Sequence, residues 1–141
     1  METSEKKVIT VETEVNAPIE KVWELWSKPE HITQWCVATP EWHTPYAEND
    51  LREGGRFMTR MEAKDGSFGF DLPGTYTKVK QHELIAYTMD DDRKVVIQFS
   101  GSNPVKISES FEAEQTNPIE MQQLGWQAIL DNFKKYAEAG N

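Results

Sequence analysis

Two hydrophobic periods divide this chain. Through most of its length apolar side chains recur at every second position, the repeat of a strand buried on one face. Over the closing stretch NPIEMQQLGWQAILDNFKKYAEAG the repeat changes. There Trp126, Ile129, Leu130, Phe133 and Ala137 stand at i, i+3, i+4, i+7 and i+11, one face of a helix. A single helix with aromatics that large needs a broad, curved apolar surface, and only the strands can supply it. A bent sheet closing on one helix leaves a hollow between them, so the pattern predicts a cavity.

Lys7 to Val15 reads as a first strand with Ile9, Val11 and Val15 on one face. Asn16-Ala17-Pro18 ends it, and a helix follows with Ile19, Val22 and Trp26 on a stripe and Leu25 beside it. Pro29 restarts a short second helix through Ile32 and Trp35, with Lys28 as a poor cap. From Trp42 the chain turns to strands. A run near Thr44 to Asn49 leads through a Gly54-Gly55 turn into Phe57, Thr59 and Met61 on one face, with Met58, Arg60 and Glu62 opposite. Asp65-Gly66 is a hairpin signal. Phe70, Leu72, Gly74 and Tyr76 share a side of a long strand in which Pro73 predicts an edge position or a bulge. Ile85, Tyr87 and Met89, then Val95, Ile97 and Phe99, then Val105, Ile107, Glu109 and Phe111 mark three more strands. Asn117 is the expected cap of the final helix, with Pro118 at its first position and Glu120 three residues past the cap. The order is strand, two short helices, about six meandering strands and one long helix. That is an α+β single domain over residues 1–141, with 1–6 expected as a flexible N-terminus.

Composition narrows the function classes. The 141 residues suit one domain with a real core. A net charge of −9 would repel nucleic acid and anionic membrane surfaces, so neither is an expected partner. The lone cysteine, Cys36, cannot pair internally, no signal peptide is visible, and no apolar run reaches membrane-spanning length. The expectation is a cytoplasmic protein.

The pieces VNAPIEKVWELWSKPEHITQW, DLREGGRF, GTYTKV, ESFEAE and GWQAILDNFKKY, in this order and spacing, resemble the helix-grip superfamily (SRPBCC) that includes START and Bet v domains. Within it the chain is similar to single-domain proteins related to the C-terminal domain of the activator of the ninety-kilodalton heat-shock chaperone's ATPase, the AHSA1-like proteins. The similarity runs from about Ile9 to Tyr136. It implies a seven-stranded antiparallel sheet gripping the terminal helix around an apolar cavity, and a family that binds or processes lipids, sterols or polyketides. Two departures stand near the expected cavity: Cys36, where a second tryptophan often follows Trp35, and Leu72-Pro73 ahead of Gly-Thr-Tyr. A fold of this kind hosts many functions, so the site must decide.

His31, His43 and His82 have no metal-ligand spacing with one another or with Cys36, and no phosphate loop or nucleophile elbow is present. No cofactor or metal is expected. Glu109 is the polar residue that stands out, because strand parity turns it inward among apolar neighbours. A carboxyl there serves as a ligand anchor or general acid, or is simply satisfied by a nearby Arg, Tyr or water. Trp42 and His43 should rim the cavity, where they could stack on and hydrogen-bond a flat ligand or merely pack. Tyr76 and Tyr87 fall on inward parity. The expected lining is Trp35, Trp42, His43, Phe57, Met61, Phe70, Tyr76, Tyr87, Met89, Ile97, Phe99, Glu109, Met121, Trp126, Ile129 and Leu130. Phe133 and Ala137 are expected in the core, and Gly125 interrupts the helix at a cost of ~1 kcal/mol against alanine.

These residues favour a binding or carrier domain for a small hydrophobic or aromatic molecule. The alternative is an enzyme of the cyclase, aromatase or dehydratase sort using Glu109 with Tyr76 or His43. A chaperone partner ranks last, since that activator engages the chaperone through a separate N-terminal domain for which this chain is too short. An exposed sheet edge allows a homodimer without demanding one.

Overall fold

The computed structural model describes residues 7–115 and 117–139. The expectation of a flexible segment at 1–6 falls outside the described residues. Seven strands and three helices follow one another as β1 (Val8–Val15), α1 (Ile19–Ser27), α2 (Pro29–Trp35), β2 (Trp42–Asn49), β3 (Arg56–Ala63), β4 (Gly69–Lys80), β5 (Leu84–Met89), β6 (Lys94–Ser100), β7 (Val105–Glu112) and α3 (Ile119–Glu138). The sheet order is β1-β7-β6-β5-β4-β3-β2, antiparallel throughout. Strands β2 to β7 form a meander, and β1 closes it by pairing with the last strand. Among the described residues, no helix is long and apolar enough to cross a membrane.

Alternation explains the sheet. Val95, Ile97 and Phe99 of β6 are buried while their neighbours are exposed. Val105, Ile107, Glu109 and Phe111 of β7 repeat this one strand over. Registers put Phe99 opposite Ile107, Ile97 opposite Glu109 and Val95 opposite Phe111, so the inward residues form rungs running from one end of the sheet to the other. Helix α3 crosses this concave face and is tied to β1: Gln127 Nε2 donates to the Glu12 carbonyl at 3.0 Å and Lys134 Nζ to the Glu14 carbonyl at 2.7 Å.

The two short helices close one end of the groove. Trp35 Nε1 donates to the Leu25 carbonyl at 2.9 Å, which fixes α2 against α1. The rings of Trp26 and Trp35 then lie 4.8 and 4.9 Å from that of Phe133 on α3. On α1 the buried residues are Val22, Trp23 and Leu25. Trp23, absent from the expected stripe, packs on His82 and Phe99 beyond the far edge of that stripe.

Two local expectations are corrected. Pro73 is not on an edge strand, because β4 runs between β3 and β5. Its position is tolerated because β5 ends at Met89. The Pro73 carbonyl accepts from the Asp90 backbone at 3.1 Å, so the missing proline donor falls where the ladder is already giving way to a turn. A bulge does occur in β4, but between Tyr76 and Lys78. Asn117 does not cap α3, whose N-cap is Pro118. The Asn117 side chain instead donates to Glu114, and Gln122 reaches back to the Glu114 and Asn117 carbonyls at 3.0 and 2.8 Å, tying the first turn of the helix to the end of β7.

Candidate functional site

A cavity of about 470 Å³ lies between the sheet and α3. Its size falls in the range of small-molecule sites. Each wall follows from an element already described. Strands β3, β4 and β5 supply Phe57, Phe70, Leu72, Tyr76, Tyr87 and Met89 through their inward positions. Strands β6 and β7 supply Ile97 and Glu109. Helix α3 supplies Met121, Gln122, Gly125, Trp126 and Ile129, and the α1–α2 end supplies Trp26, Ile32, Trp35 and Cys36. Trp126 lies flat on Phe111, with centroids 3.8 Å apart and planes at 8°, which fixes its ring as a wall. Phe57 fits against Gly74, where a Cβ would come within 2.4 Å of the ring, so the missing side chain is what admits the aromatic. No atom would meet a Cβ at Gly125. That glycine widens the cavity rather than permitting a close approach.

The polar groups divide into two sets. In the first, each group has its partner. Tyr76 donates to Asn49 Oδ1 at 2.5 Å, and Asn49 donates to the Ser27 carbonyl at 2.5 Å, which pins β2 to α1. Gln122 is held by Glu114 and Asn117. Arg93, at the β5–β6 turn, places Nε 2.8 Å from Asp91 Oδ2. The second set includes Glu109 and Tyr87. Glu109 is 7% exposed, and among the described residues neither its carboxyl nor the Tyr87 hydroxyl makes a hydrogen bond. Among the described residues no buried side-chain polar atom cut off from solvent lacks a partner, so both groups open into the cavity. Burial pushes the Glu109 carboxyl up to about 8, which leaves it mostly protonated at neutral pH. Burial and then the neighbouring Glu109 raise Tyr87 well above the usual phenol range. The same two causes push the Cys36 thiol up to about 12, so it stays protonated at neutral pH.

A seven-stranded antiparallel sheet that curls around one C-terminal helix and leaves a polar-floored cavity is a recognisable arrangement. The model of the family described as Activator of Hsp90 ATPase homolog 1-like protein matches residues 16–138. The chain belongs to this family. An AHSA1-like protein from Aeromonas hydrophila, solved in solution, is 43% identical with a TM-score of 0.88, over 94% of this chain and 93% of that one. A solved protein from Cytophaga hutchinsonii is 56% identical with a TM-score of 0.81, over 93% and 92%. One from Chromobacterium violaceum, at 24% identity and a TM-score of 0.84, covers 94% and 98% and shares the fold. No curated protein matches the chain. The AHSA1-like chain is thus a helix-grip protein of the SRPBCC kind, a family known for ligand binding.

Of the residues expected to line the AHSA1-like cavity, Trp35, Trp42, Phe57, Met61, Phe70, Tyr76, Tyr87, Met89, Ile97, Glu109, Met121, Trp126 and Ile129 do so. Three lie elsewhere. Phe99 is covered by α1, its ring 5.3 and 5.6 Å from those of Trp23 and Trp26. Leu130 is fully buried in the core, one helical step past Ile129 and turned out of the hollow. His43 sits on the outer face, 3.6 Å from Glu62, because Trp42 beside it takes the inward position. The expected list omitted Trp26, Asn49, Thr59, Arg93 and Gln122, all of which line the cavity. Arg93 shares the parity of Val95 and Ile97, and Gln122 stands four residues before Trp126. Extending either stripe past its last apolar member finds them.

Proposed function

We propose that this AHSA1-like protein binds a small hydrophobic or aromatic molecule in the cavity between the sheet and α3, with Glu109 as the polar anchor. The observation that carries this reading is a carboxyl nine-tenths buried, with no partner among the described residues, facing a hollow lined with aromatic rings. A group desolvated in this way costs stability, and a bound hydrogen-bonding molecule would recover part of that cost. The apolar lining adds area to bury: Trp126 and Phe57 are held rigidly, while Met61, Met89 and Met121 adapt to shape.

Catalysis is the weaker reading. It needs a second titratable group within reach of Glu109. Tyr76 is engaged by Asn49, His43 is on the opposite face of the sheet, and Tyr87, which neighbours Glu109, is held as a neutral phenol by burial and by that carboxyl.

Native mass spectrometry of the protein purified from its own host tests the proposal. The expected spectrum contains an adduct of small-molecule mass that disappears on denaturation. A bare chain mass under the gentlest desolvation counts against it.

A further inference from the structure

We infer that the cavity selects an organic cation, a hydrophobic amine whose ammonium sits between the Glu109 carboxylate and the Tyr87 hydroxyl. The inference rests on the binding reading above and narrows its ligand class.

The Glu109 carboxyl and the Tyr87 hydroxyl, both without hydrogen bonds among the described residues, can accept, the carboxyl through both oxygens once it is ionised. An ammonium brings three donors and no acceptor, which suits that wall. Trp35, Phe57, Tyr76, Tyr87 and Trp126 line the same hollow, and aromatic faces attract a desolvated cation. Among the described residues the cavity-lining side chains include the carboxyls of Glu48, Glu109 and Glu114 against the one guanidinium of Arg93, which Asp91 already holds at 2.8 Å. With a chain charge of −9, the field at the mouth draws cations inward and repels carboxylates.

Of the groups that surround Glu109 only the guanidinium of Arg93, already paired with Asp91, opposes a cation among the described residues. Its rung neighbours are Val11 on β1 and Ile97 on β6, both apolar. Facing residues that can titrate are Tyr76 and Tyr87 on β4 and β5 and Cys36 after α2, all held neutral by burial, the carboxyls of Glu48 on β2 and Glu114 after β7, and Arg93 at the turn, whose charge reaches the Tyr87 hydroxyl and is offset by Asp91. Helix α3 contributes Gln122, Trp126 and Ile129, none of them charged. Ionising Glu109 beside an ammonium releases one proton, so the amine should bind better as pH rises through about 8.

The test is calorimetric titration of the whole protein with phenylbutylamine, phenylbutanol and phenylbutyrate, at about pH 7 and about pH 9, for wild type and Glu109→Gln. At the higher pH the amine should bind about tenfold or more tighter than the alcohol. Its affinity should rise about tenfold between the two pH values, with close to one proton released at the lower pH, while the alcohol's affinity does not rise. Glu109→Gln should abolish both the preference and the proton release. If that variant fails to fold, Tyr87→Phe should weaken the amine by several-fold and spare the alcohol. Alcohol or carboxylate binding as tight as the amine, or a preference that survives in Glu109→Gln, overturns the amine inference and leaves the cavity reading standing. If none of the three binds, both readings fall.

Discussion

Glu109→Gln is expected to flatten the pH dependence of folding stability and to make the protein more stable than wild type at neutral pH. The carboxyl titrates near its ordinary 4.5 when unfolded and at about 8 when buried in the fold. Between these values the folded state holds a proton that the unfolded state has released. Stability from this group is therefore fully present below about 4.5 and is lost as pH rises toward 8. The difference between the two unfolding curves should widen by about 3 kcal/mol from about pH 4 to about pH 7. Glutamine keeps the shape and a donor–acceptor pair but carries no charge to desolvate. Urea unfolding across that range measures the effect. Parallel curves for the two proteins would mean that Glu109 is solvated or paired, and the case for it as a ligand anchor would go with them.

Phe133→Ala should cost about 4 kcal/mol, or roughly 10–15 °C in Tm. Phe133 is fully buried and meets the rings of both Trp26 and Trp35, so three elements share one aromatic contact. These residues close the end of the groove from which the cavity begins, and truncation would leave a void that its rigid tryptophan neighbours cannot fill. A loss under about 1 kcal/mol would show that α3 is held by the ties of its Gln127 and Lys134 side chains to β1 rather than by this plug.

How far the residues alone could be read follows from which physical rule governs each one. Period-two alternation placed every inward residue of β5, β6 and β7, because a strand buried on one face has a single solution to its register. The same rule says only that Phe99 and Ile97 point inward. Whether an inward residue meets a hollow or a neighbour depends on where α1 lies across the sheet, a tertiary fact with no local signature. Leu130 and Ile129 divide on the same question at one helical step. His43 failed for a different reason: alternation from Trp42 already turns it outward, and proximity in sequence to a rim aromatic was the wrong guide. Asn49 could not have been found, since its role comes from bridging Tyr76 to Ser27 across elements far apart in the chain.

Methionine methyls offer the most direct test of the claim that the cavity is a ligand site. Met61, Met89 and Met121 line it, whereas Met58 alternates away from it on β3. In protein labelled at the methionine methyl carbons and titrated with phenylbutanol, the three lining signals should shift together and saturate, while Met58 stays in place. Signals that do not move, or a Met58 that moves with the rest, would contradict the account.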